Sequence, residues 1–534
     1  MAKILNTILA LGCWLLTAGI VANAAPPLRG LQAMKQTDGS IIVPAGNVVT
    51  PHLLEGYCRS QAAVGSGLYL QHSGAPRILT ILAAFQDVGF TVNNPEQAFY
   101  QYLNGEVQEN LGNSNHLNLA SVRRYYEVCS RGRFSPQFDV VGPVVLPQKM
   151  RYYGGSNDTG SDDRFYEFCR DAMNQAKPLV SDWNAYDNDQ DGSAELVCII
   201  YAGFGQNQGG ADSTLWAKAA TENLRVTDDL TITRFNCCAE LFHPQYPTHI
   251  NGTGVFIHEL SHCMGLPDLY ATSERAYVNN QGMETWSIMD YGLYNRNGYA
   301  PCSFTAWEQA VMGWTEIEDV AGMMVEGQWQ VDGLLPVIDG GKAYKMVNSD
   351  NDLDYIVMEN VQRKGLNQYA SGHGLLVYHV DYPYASVNMS DNPNNKPGHP
   401  SVAVVPAGGT LISSYLRGKG KTYSHDEWLQ SLGASVFPGT SDVTTLDDRM
   451  ALPNYCFYAG SKAKATGLKL SEISESAESG MVHFVVSLDK TSGVVGVMYQ
   501  EKDHTWYTLD GRRLHSQPST RGVYIHQGRK VVIR

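Results

Sequence analysis

The sequence predicts a mixed α/β domain over residues 77–316, followed by an all-β domain over residues 317–490. In the first region, apolar runs of strand length alternate with segments of helical composition, as in folds that cover a sheet with helices. In the second, short alternating runs are separated by Gly, Asn and Pro turns, which favours antiparallel strands. At 534 residues the chain is also too long for one ordinary core.

The first domain begins with an apolar run of strand length, and helices and strands then alternate. In chain order, the predicted elements are a strand at 78–85 (ILTILAAF), a helix at 95–103, a helix at 121–134 (SVRRYYEVCSRGRF), a strand at 138–146 (FDVVGPVVL), a helix from Asp163 to about Ala176 and a strand at 195–201 (ELVCIIY). The second domain contains runs such as YIVMEN, GLLVYHV and VHFVVSL. Residues 491–534 add two or three hairpin strands, too few for a large core, and resemble the C-terminal sorting modules of secreted bacterial proteins.

The N-terminus has the pattern of a secretory signal. Lys3 precedes an apolar stretch from Ile4 to about Ile20, and Ala22-Asn23-Ala24 gives the small-x-small pattern of a cleavage site. The apolar stretch is shorter than the roughly 20 residues of a spanning helix, which weighs against the alternative of a membrane anchor. We therefore expect a signal peptide at 1–24, a propeptide or N-terminal arm at 25–76, and a protein that is secreted, extracellular or attached to the outer surface of a bacterium.

Charge and composition exclude several classes of partner. The net charge of -14 would repel nucleic acid and anionic lipid, so neither is expected. No later segment approaches membrane-spanning length, so no membrane span is expected after signal removal. Ten cysteines show no CxxC metal spacing, and nine remain after signal removal. Disulfides stay open, and the odd number leaves at least one thiol free or intermolecular.

The strongest chemistry lies in the run GTGVFIHELSHCMGLPDLY at residues 252–270. On a helix, His258 and His262 leave the same face one turn apart and can hold one zinc ion. Glu259 is placed beside them to take a proton from zinc-bound water and pass it to the leaving amine. Gly265 can take a left-handed turn that ends the helix, which makes Asp268 available as the third ligand. An accidental HExxH is the alternative, but it would not bring this glycine and this aspartate.

Two other residues compete for the third ligand position. Asp290 is acidic, but it adjoins Met289 and is better suited to support the site through hydrogen bonds. His249 precedes the helix and would have to fold back over it. We therefore expect Asp268 as the third ligand.

A second motif, Trp286-Ser287-Ile288-Met289-Asp290-Tyr291-Gly292, follows about twenty residues later. It resembles the methionine turn of metzincin zinc proteases, in which the methionine lies under the metal as an apolar floor. This resemblance implies that Met289 forms the apolar floor under the metal. Tyr291, two residues later, is a candidate donor to the oxyanion, and an ordinary core tyrosine is the alternative.

Together these motifs resemble the immune-inhibitor-A-like secreted metalloproteases, whose signature joins HExxHxxGxxD to a downstream SxMDYG. The resemblance extends over roughly residues 77–485 and includes YYEVCSRGRF, PCSFTAWEQAVMGW and GHGLLVYHVD. It implies a metzincin-like catalytic domain, one catalytic zinc ion and hydrolysis of internal peptide bonds in proteins or peptides. It carries the zinc over to His258, His262 and Asp268, and the catalytic base to Glu259. Cys129 and Cys263 depart from the small or apolar residues more usual there.

Two further sites are predicted outside this motif. Asp187, Asp189 and Asp191 alternate before Gly192, a spacing that favours a calcium or sodium ion over a plain acidic turn, and Glu195 could add an oxygen. Cys58 is a candidate latency thiol because an N-terminal thiolate can fill an open zinc position, although a disulfide or inert cysteine is an equal alternative.

Two alternative interpretations, a second metal site and a function other than catalysis, are weighed against the predicted zinc enzyme. His379, Asp381 and Glu359 could form a second metal site, but strand alternation favours polar residues with ordinary partners. A surface adhesin with a structural zinc site is the competing function. Structural zinc sites use four protein ligands and do not need Glu259, so the glutamate favours an enzyme.

Overall fold

The structure is a computed structural model that describes residues 22–26, 69–105, 118–155, 162–277, 280, 282–382, 387–414 and 423–488, together with short segments between 506 and 533. Most of the predicted signal peptide and Cys58 lie outside the described residues. The proposed cleavage motif at 22–24 lies within them.

The first part of the chain builds an eight-stranded sheet. Its strands are β1 (Ala22–Ala24), β2 (Arg77–Ala84), β3 (Gln137–Val145), β4 (Ser193–Ala194), β5 (Val197–Phe204), β6 (Lys218–Arg225), β7 (Thr231–His243) and β8 (Tyr246–Ile250). The order is β1-β6-β7-β5-β2-β3, with β4 and β8 also paired to β7. Strands β3, β2, β5 and β7 are parallel, whereas β6 runs antiparallel to β7. Strand β1 therefore lines the outer edge of β6.

Helices cover both faces of this sheet. They are α1 (Pro95–Asn104), α2 (Val122–Cys129), α3 (Met150–Tyr153), α4 (Phe165–Ala176), α5 (Thr253–Cys263) and α6 (Ala306–Val311). Residues of α1, α2 and α5 share one buried cluster, and residues of α4 form another with the opposite face. Because both faces are covered, β2 and β5 are apolar almost throughout. The mixed α/β class predicted from the sequence is thus confirmed.

Among the described residues, the second part is rich in strands and contains one α-helix together with short 3-10 turns. The elements are β9 (Ile317–Asp319), β10 (Gln328–Leu334), β11 (Ala343–Asn348), β12 (Asn351–Val361), β13 (Gly374–Asp381), β14 (Val402–Val404), α7 (His425–Gly433), β15 (Phe457–Ala459), β16 (Lys462–Lys464), β17 (Leu468–Glu475) and β18 (Val482–Leu488). A five-stranded sheet (β14-β13-β12-β11-β9) and a three-stranded sheet (β10-β18-β17) enclose an apolar core that includes Val331, Ile356 and Phe484.

The two parts share a core. Ile257 of α5, Tyr378 of β13 and Trp428 of α7 belong to one buried cluster. Trp286 also donates its indole N–H to Ser435 Oγ at 3.0 Å. The strand-rich part therefore packs directly on the segment that carries Met289.

The C-terminal segment forms a four-stranded sheet of order β20-β19-β21-β22. Its strands are β19 (Trp506–Thr508), β20 (Arg513–Leu514), β21 (Gly522–His526) and β22 (Arg529–Ile533). Within the described ranges, no helix has both the length and the apolar character that crossing a bilayer requires.

Candidate active site

Two buried histidines on α5 direct the same ring nitrogen toward one point. The Nε2 atoms of His258 and His262 lie 3.2 Å apart. On the far side of each ring, Nδ1 lies 2.8 Å from the carbonyl oxygen of Ile288 in His258 and 2.7 Å from that of Leu266 in His262. A carbonyl oxygen only accepts, so Nδ1 carries the proton and Nε2 presents its lone pair. Both rings are therefore oriented for a metal.

A glycine turn brings the carboxylate to the same point. Gly265 follows the end of α5 with φ of 105°, a left-handed conformation that a residue with a side chain rarely adopts. The chain then reverses and places Asp268 Oδ1 at 3.3 Å from His258 Nε2 and 3.2 Å from His262 Nε2. The turn also positions the Leu266 carbonyl that holds His262. The structure thus brings together the three residues that the sequence predicted as zinc ligands.

The donor set fits a zinc ion. Two imidazole nitrogens and one carboxylate oxygen are usual zinc ligands, and in a tetrahedral site with bonds of about 2.1 Å neighbouring ligand atoms lie about 3.4 Å apart. The observed separations of 3.2 to 3.3 Å agree with that geometry. Among the described residues, neither Asp290 nor His249 belongs to this group.

The charge of Asp268 suits a ligand. Burial alone would raise the pKa of its carboxyl group, but the neighbouring His262 and His258 lower it to about 2. The carboxylate is therefore ionised at neutral pH, as metal binding requires.

Glu259 lies beside the three ligand atoms and is completely buried. Within the described part of the chain, neither of its carboxylate oxygens has a hydrogen-bond partner. Burial raises the pKa of Glu259 to about 8; His258 lowers it and Asp268 raises it further. A cation held at the site would lower this pKa, because positive charge favours the carboxylate. The group is suited to exchange a proton near neutral pH.

The turn that carries Met289 is held by buried polar contacts. The Met289 amide donates to Ser287 Oγ at 2.9 Å, and the Ser287 hydroxyl donates to Glu308 at 2.5 Å. The Met289 carbonyl accepts from the amide of Leu269, the residue after Asp268, at 2.8 Å. The turn is thereby connected to both ligand segments, since Ile288 holds His258.

Tyr291 lies between two aromatic rings. Its ring centroid is 5.5 Å from that of Trp428 and 5.3 Å from that of Tyr294. The strand-rich part thus contacts Tyr291 through Trp428 of α7.

Asp290, the rejected ligand, accepts backbone N–H groups from Tyr291, Met283 and Glu284.

Tyr294 and Trp216 were missed by sequence reasoning. The hydroxyl of Tyr294 donates to the carbonyl oxygen of Pro26 at 2.6 Å, and the indole of Trp216 donates to that of Ala25 at 2.8 Å. Glu259 is one of the charged groups that add to the effect of burial in raising the pKa of Tyr294. Only Tyr294 had a local signal, because it lies three residues after Tyr291.

The acidic loop differs in detail from its prediction. Oxygens of Asp187, Asp189 and Glu195 lie within 4.8 Å of one another. Asp191 is not in this group, and its carboxylate accepts from the Ser193 amide at 2.8 Å. Glu195, an additional candidate in the sequence, takes its place because the loop turns back at Gly192.

The second metal site weighed for the strand-rich part does not form. His379 Nε2 lies 2.7 Å from Asp354 Oδ1, and Asp381 lies 2.7 Å from His399. Glu359 accepts from the Ala306 amide and the Tyr378 hydroxyl, each at 2.9 Å. Within the described ranges these residues form no metal-ligating group, so they have the ordinary partners that strand alternation predicts.

The described cysteines are free thiols, and all but Cys456 are buried. Burial raises the pKa of Cys129 to about 12, and it also raises the pKa of Cys263, the residue after His262. Protonated buried thiols are weak nucleophiles, so neither is placed for thiol chemistry at the site.

Comparisons with known proteins point to the same chemistry. The family described as immune inhibitor A peptidase M6, catalytic domain, matches residues 75–315. The chain is 26% identical over 267 residues to the pre-pro-metalloprotease PrtV of Vibrio cholerae serotype O1 (strain M66-2), covering 43% of this chain and 29% of that protein. It is 25% identical over 213 residues to immune inhibitor A of Bacillus thuringiensis subsp. alesti, covering 35% and 31%.

These relatives are longer proteins, and the matched segment spans less than a third of either of them. All of the candidate metal ligands, Glu259 and the methionine turn fall within the residues that the family matches. Residues 75–315 therefore form a metallopeptidase domain that is similar to the catalytic domain of immune inhibitor A peptidases.

Proposed function

We propose that this chain is a secreted zinc-dependent endopeptidase, with His258, His262 and Asp268 as zinc ligands and Glu259 as general base. One observation carries the proposal. Three ligand atoms converge within 3.3 Å beside a buried carboxylate that has no partner among the described residues. An unpaired buried carboxylate is costly, so its presence beside a metal-binding group favours a role in catalysis.

The number of ligands also supports an enzyme over an adhesin with a structural zinc site. Structural sites are closed by four protein ligands, whereas catalytic sites keep a position open. In the described part of the chain, the group at α5 contains three ligating residues. A fourth position is thus available to water or substrate.

In the proposed reaction, the chain's own residues move one proton and hold the reacting atoms. Zinc at this site would supply Lewis acidity, which polarises a carbonyl and acidifies water. Glu259 accepts a proton from the attacking water and delivers it to the leaving amide nitrogen. Tyr291 donates to the oxyanion as the tetrahedral intermediate forms, and Met289 provides the apolar floor. Substrates are proteins or peptides bound as extended chains.

The remaining expectations are carried as parts of the same proposal. They are a signal peptide at 1–24, a propeptide or arm at 25–76 with Cys58 as a latency thiol, a metzincin-like domain at 77–316, a β-rich domain at 317–490, a sorting module at 491–534 and an extracellular or outer-surface location in a bacterium. A calcium ion bound by Asp187, Asp189 and Glu195 would stiffen the catalytic domain. The signal and latency proposals are tested by N-terminal sequencing of the exported protein and by the activity of a Cys58→Ser precursor, which should lose latency.

The test of the function is Glu259→Ala. We expect casein hydrolysis to fall at least about 100-fold, because a general base contributes that much or more, while zinc stays bound at one ion per chain. A chelator should abolish hydrolysis in the parent protein, and added zinc should restore it. Near-normal turnover in the variant would refute the role of Glu259, and hydrolysis that persists after zinc removal would refute the zinc mechanism.

A further inference from the structure

A five-residue segment of the chain itself lies along the edge of the catalytic sheet. Residues Ala22–Ala24 pair antiparallel with β6, in the register Ala22 to Ala220 and Ala24 to Lys218. The next two residues, Ala25 and Pro26, are buried. The segment is an extended polypeptide, the same chemical class as the proposed substrate.

Three hydrogen bonds hold the last two residues of this segment. The Ala25 amide donates to the Ala217 carbonyl at 3.2 Å. Trp216 donates its indole N–H to the Ala25 carbonyl at 2.8 Å, and Tyr294 donates its hydroxyl to the Pro26 carbonyl at 2.6 Å. Each contact uses only main-chain atoms of the segment. Any extended chain in this register would offer the same atoms.

The segment lies against the helix that carries the proposed general base. Strand β1 contacts both β6 and α5, and α5 carries Glu259 together with His258 and His262. A polypeptide that follows the same path along β6 therefore passes beside the proposed metal site, where Trp216 and Tyr294 would contact it.

Both donors are held by contacts other than those to the segment. The Trp216 backbone amide donates to Asp162 Oδ2 at 3.2 Å, and the same oxygen pairs with Lys218 Nζ at 2.7 Å in a buried ion pair. Asn207 donates to the Tyr294 hydroxyl oxygen at 3.3 Å, which leaves the hydroxyl proton for an acceptor. Such preorganised donors favour binding because little freedom is lost on association.

We propose that Trp216 and Tyr294 are substrate-binding residues, which donate hydrogen bonds to two consecutive main-chain carbonyl oxygens of a polypeptide lying along β6. This rests on the proposed function, because the bound polypeptide is taken to be the substrate. Ala25 and Pro26, which follow the proposed signal peptide, occupy the same donors and compete with that substrate. A proline fits at the second position, since the contact there uses only the carbonyl oxygen of Pro26.

The test measures binding without hydrolysis. A full-length zinc-loaded chain carries Glu259→Gln, which prevents turnover, and Ala25→Asp, which puts a charge at a buried position and expels the internal segment. A fluorescently labelled peptide with the sequence of residues 22–27, ANAAPP, is titrated and its anisotropy recorded. Adding Trp216→Phe or Tyr294→Phe should each weaken binding about 3- to 10-fold, as expected for one lost hydrogen bond.

Matched controls are Trp183→Phe and Tyr299→Phe, both at buried positions away from the segment. Tyr299 donates to the Ile250 carbonyl instead. We expect both controls to stay within twofold of the parent. Absence of peptide binding to the parent, equal binding by all variants, or equal losses in the controls would each overturn the proposal.

A second measurement separates this proposal from the function itself. In the Ala25→Asp chain with Glu259 intact, Trp216→Phe and Tyr294→Phe should raise KM for a peptide substrate several-fold and leave kcat within about threefold. A fall in kcat at constant KM would overturn the binding role. Peptide binding without any hydrolysis in the parent would refute the proposed function and leave the binding residues in place.

Discussion

The Nδ1 atom of His258 lies 2.8 Å from the carbonyl oxygen of Ile288, so a histidine of the zinc-binding helix is oriented by the residue that precedes Met289. His262 is oriented in the same way by Leu266, within the turn that Gly265 begins. The ligand geometry thus depends on two loops as well as on the helical spacing. Such outer contacts to ligating histidines affect metal affinity strongly.

Ser287→Ala should therefore weaken zinc binding, although Ser287 is not a ligand. The substitution removes the oxygen that accepts from the Met289 amide and the donor to Glu308, and it loosens the turn that presents Ile288. We expect about a 10-fold loss of zinc affinity in competition with a chelator. Ser303→Ala, a buried serine that contacts Asn367 instead, is the control and should retain parental affinity. Unchanged affinity in Ser287→Ala would show that the turn does not depend on this contact.

The acidic loop predicts a calcium-dependent increase in stability. Millimolar calcium should raise the Tm of the metal-stripped, zinc-reconstituted protein by a few degrees, because an ion that binds only the folded state stabilises it. Asp187→Asn should remove the calcium response, and so should Glu195→Gln. Asp212→Asn, at an exposed acidic position outside the group, should keep it. Equal Tm values with and without calcium in the parent would refute the site.

Ionisation of the buried Glu359 should make the free energy of unfolding depend on pH. Burial raises the pKa of this carboxyl group to about 7, and Ala306 and Tyr378, which donate to it, oppose the increase. Because the folded-state pKa is raised, the protonated Glu359 carboxyl group stabilises the folded protein. This contribution to the free energy of unfolding is fully present below about pH 4.5 and is lost as the pH rises through about 7.

Glu359→Gln keeps an oxygen acceptor and cannot ionise. Between pH 5 and pH 8, the variant should lose about 1 to 3 kcal/mol less stability than the parent, measured by urea denaturation at both values. The exposed Glu326→Gln is the control and should follow the parent. Parallel behaviour of Glu359→Gln and parent would mean that Glu359 is ionised in the folded protein throughout this range.

The sequence pattern correctly predicted those features of the protein that depend on residues close together in the chain. The spacing of His258 and His262, the left-handed glycine at 265 and the apolar runs at β2 and β5 all depend on residues close in sequence. Helix α7 also had a local signal that was not used, since Ser424 and Glu427 form a capping box at its start.

The missed features depend on tertiary contacts. Trp216 and Tyr294 are far apart in the chain, and only the tertiary fold brings them to the neighbouring residues Ala25 and Pro26. Trp428 reaches Tyr291 because the strand-rich part shares its core with the catalytic domain. No spacing rule links residues brought together by strand order, so sequence pattern could not place them in the site.

The assignment of Asp268 as the third zinc ligand can be tested directly by substitution. Two imidazoles on one helical face leave the third ligand to arrive from another direction, and Asp268 Oδ1 does so at 3.2 and 3.3 Å from the two Nε2 atoms. Asp268→Ala should lower zinc affinity by at least about 100-fold in competition with a chelator, because one of three protein ligands is lost. Asp268→His should recover much of the affinity, since imidazole is also a zinc ligand. His249→Ala should bind zinc as the parent does, because its ring lies beside Tyr246 and outside the ligand group. The circular dichroism spectrum of each variant establishes that the fold is kept. Parental zinc affinity in Asp268→Ala, together with a loss in His249→Ala, would require a different ligand set.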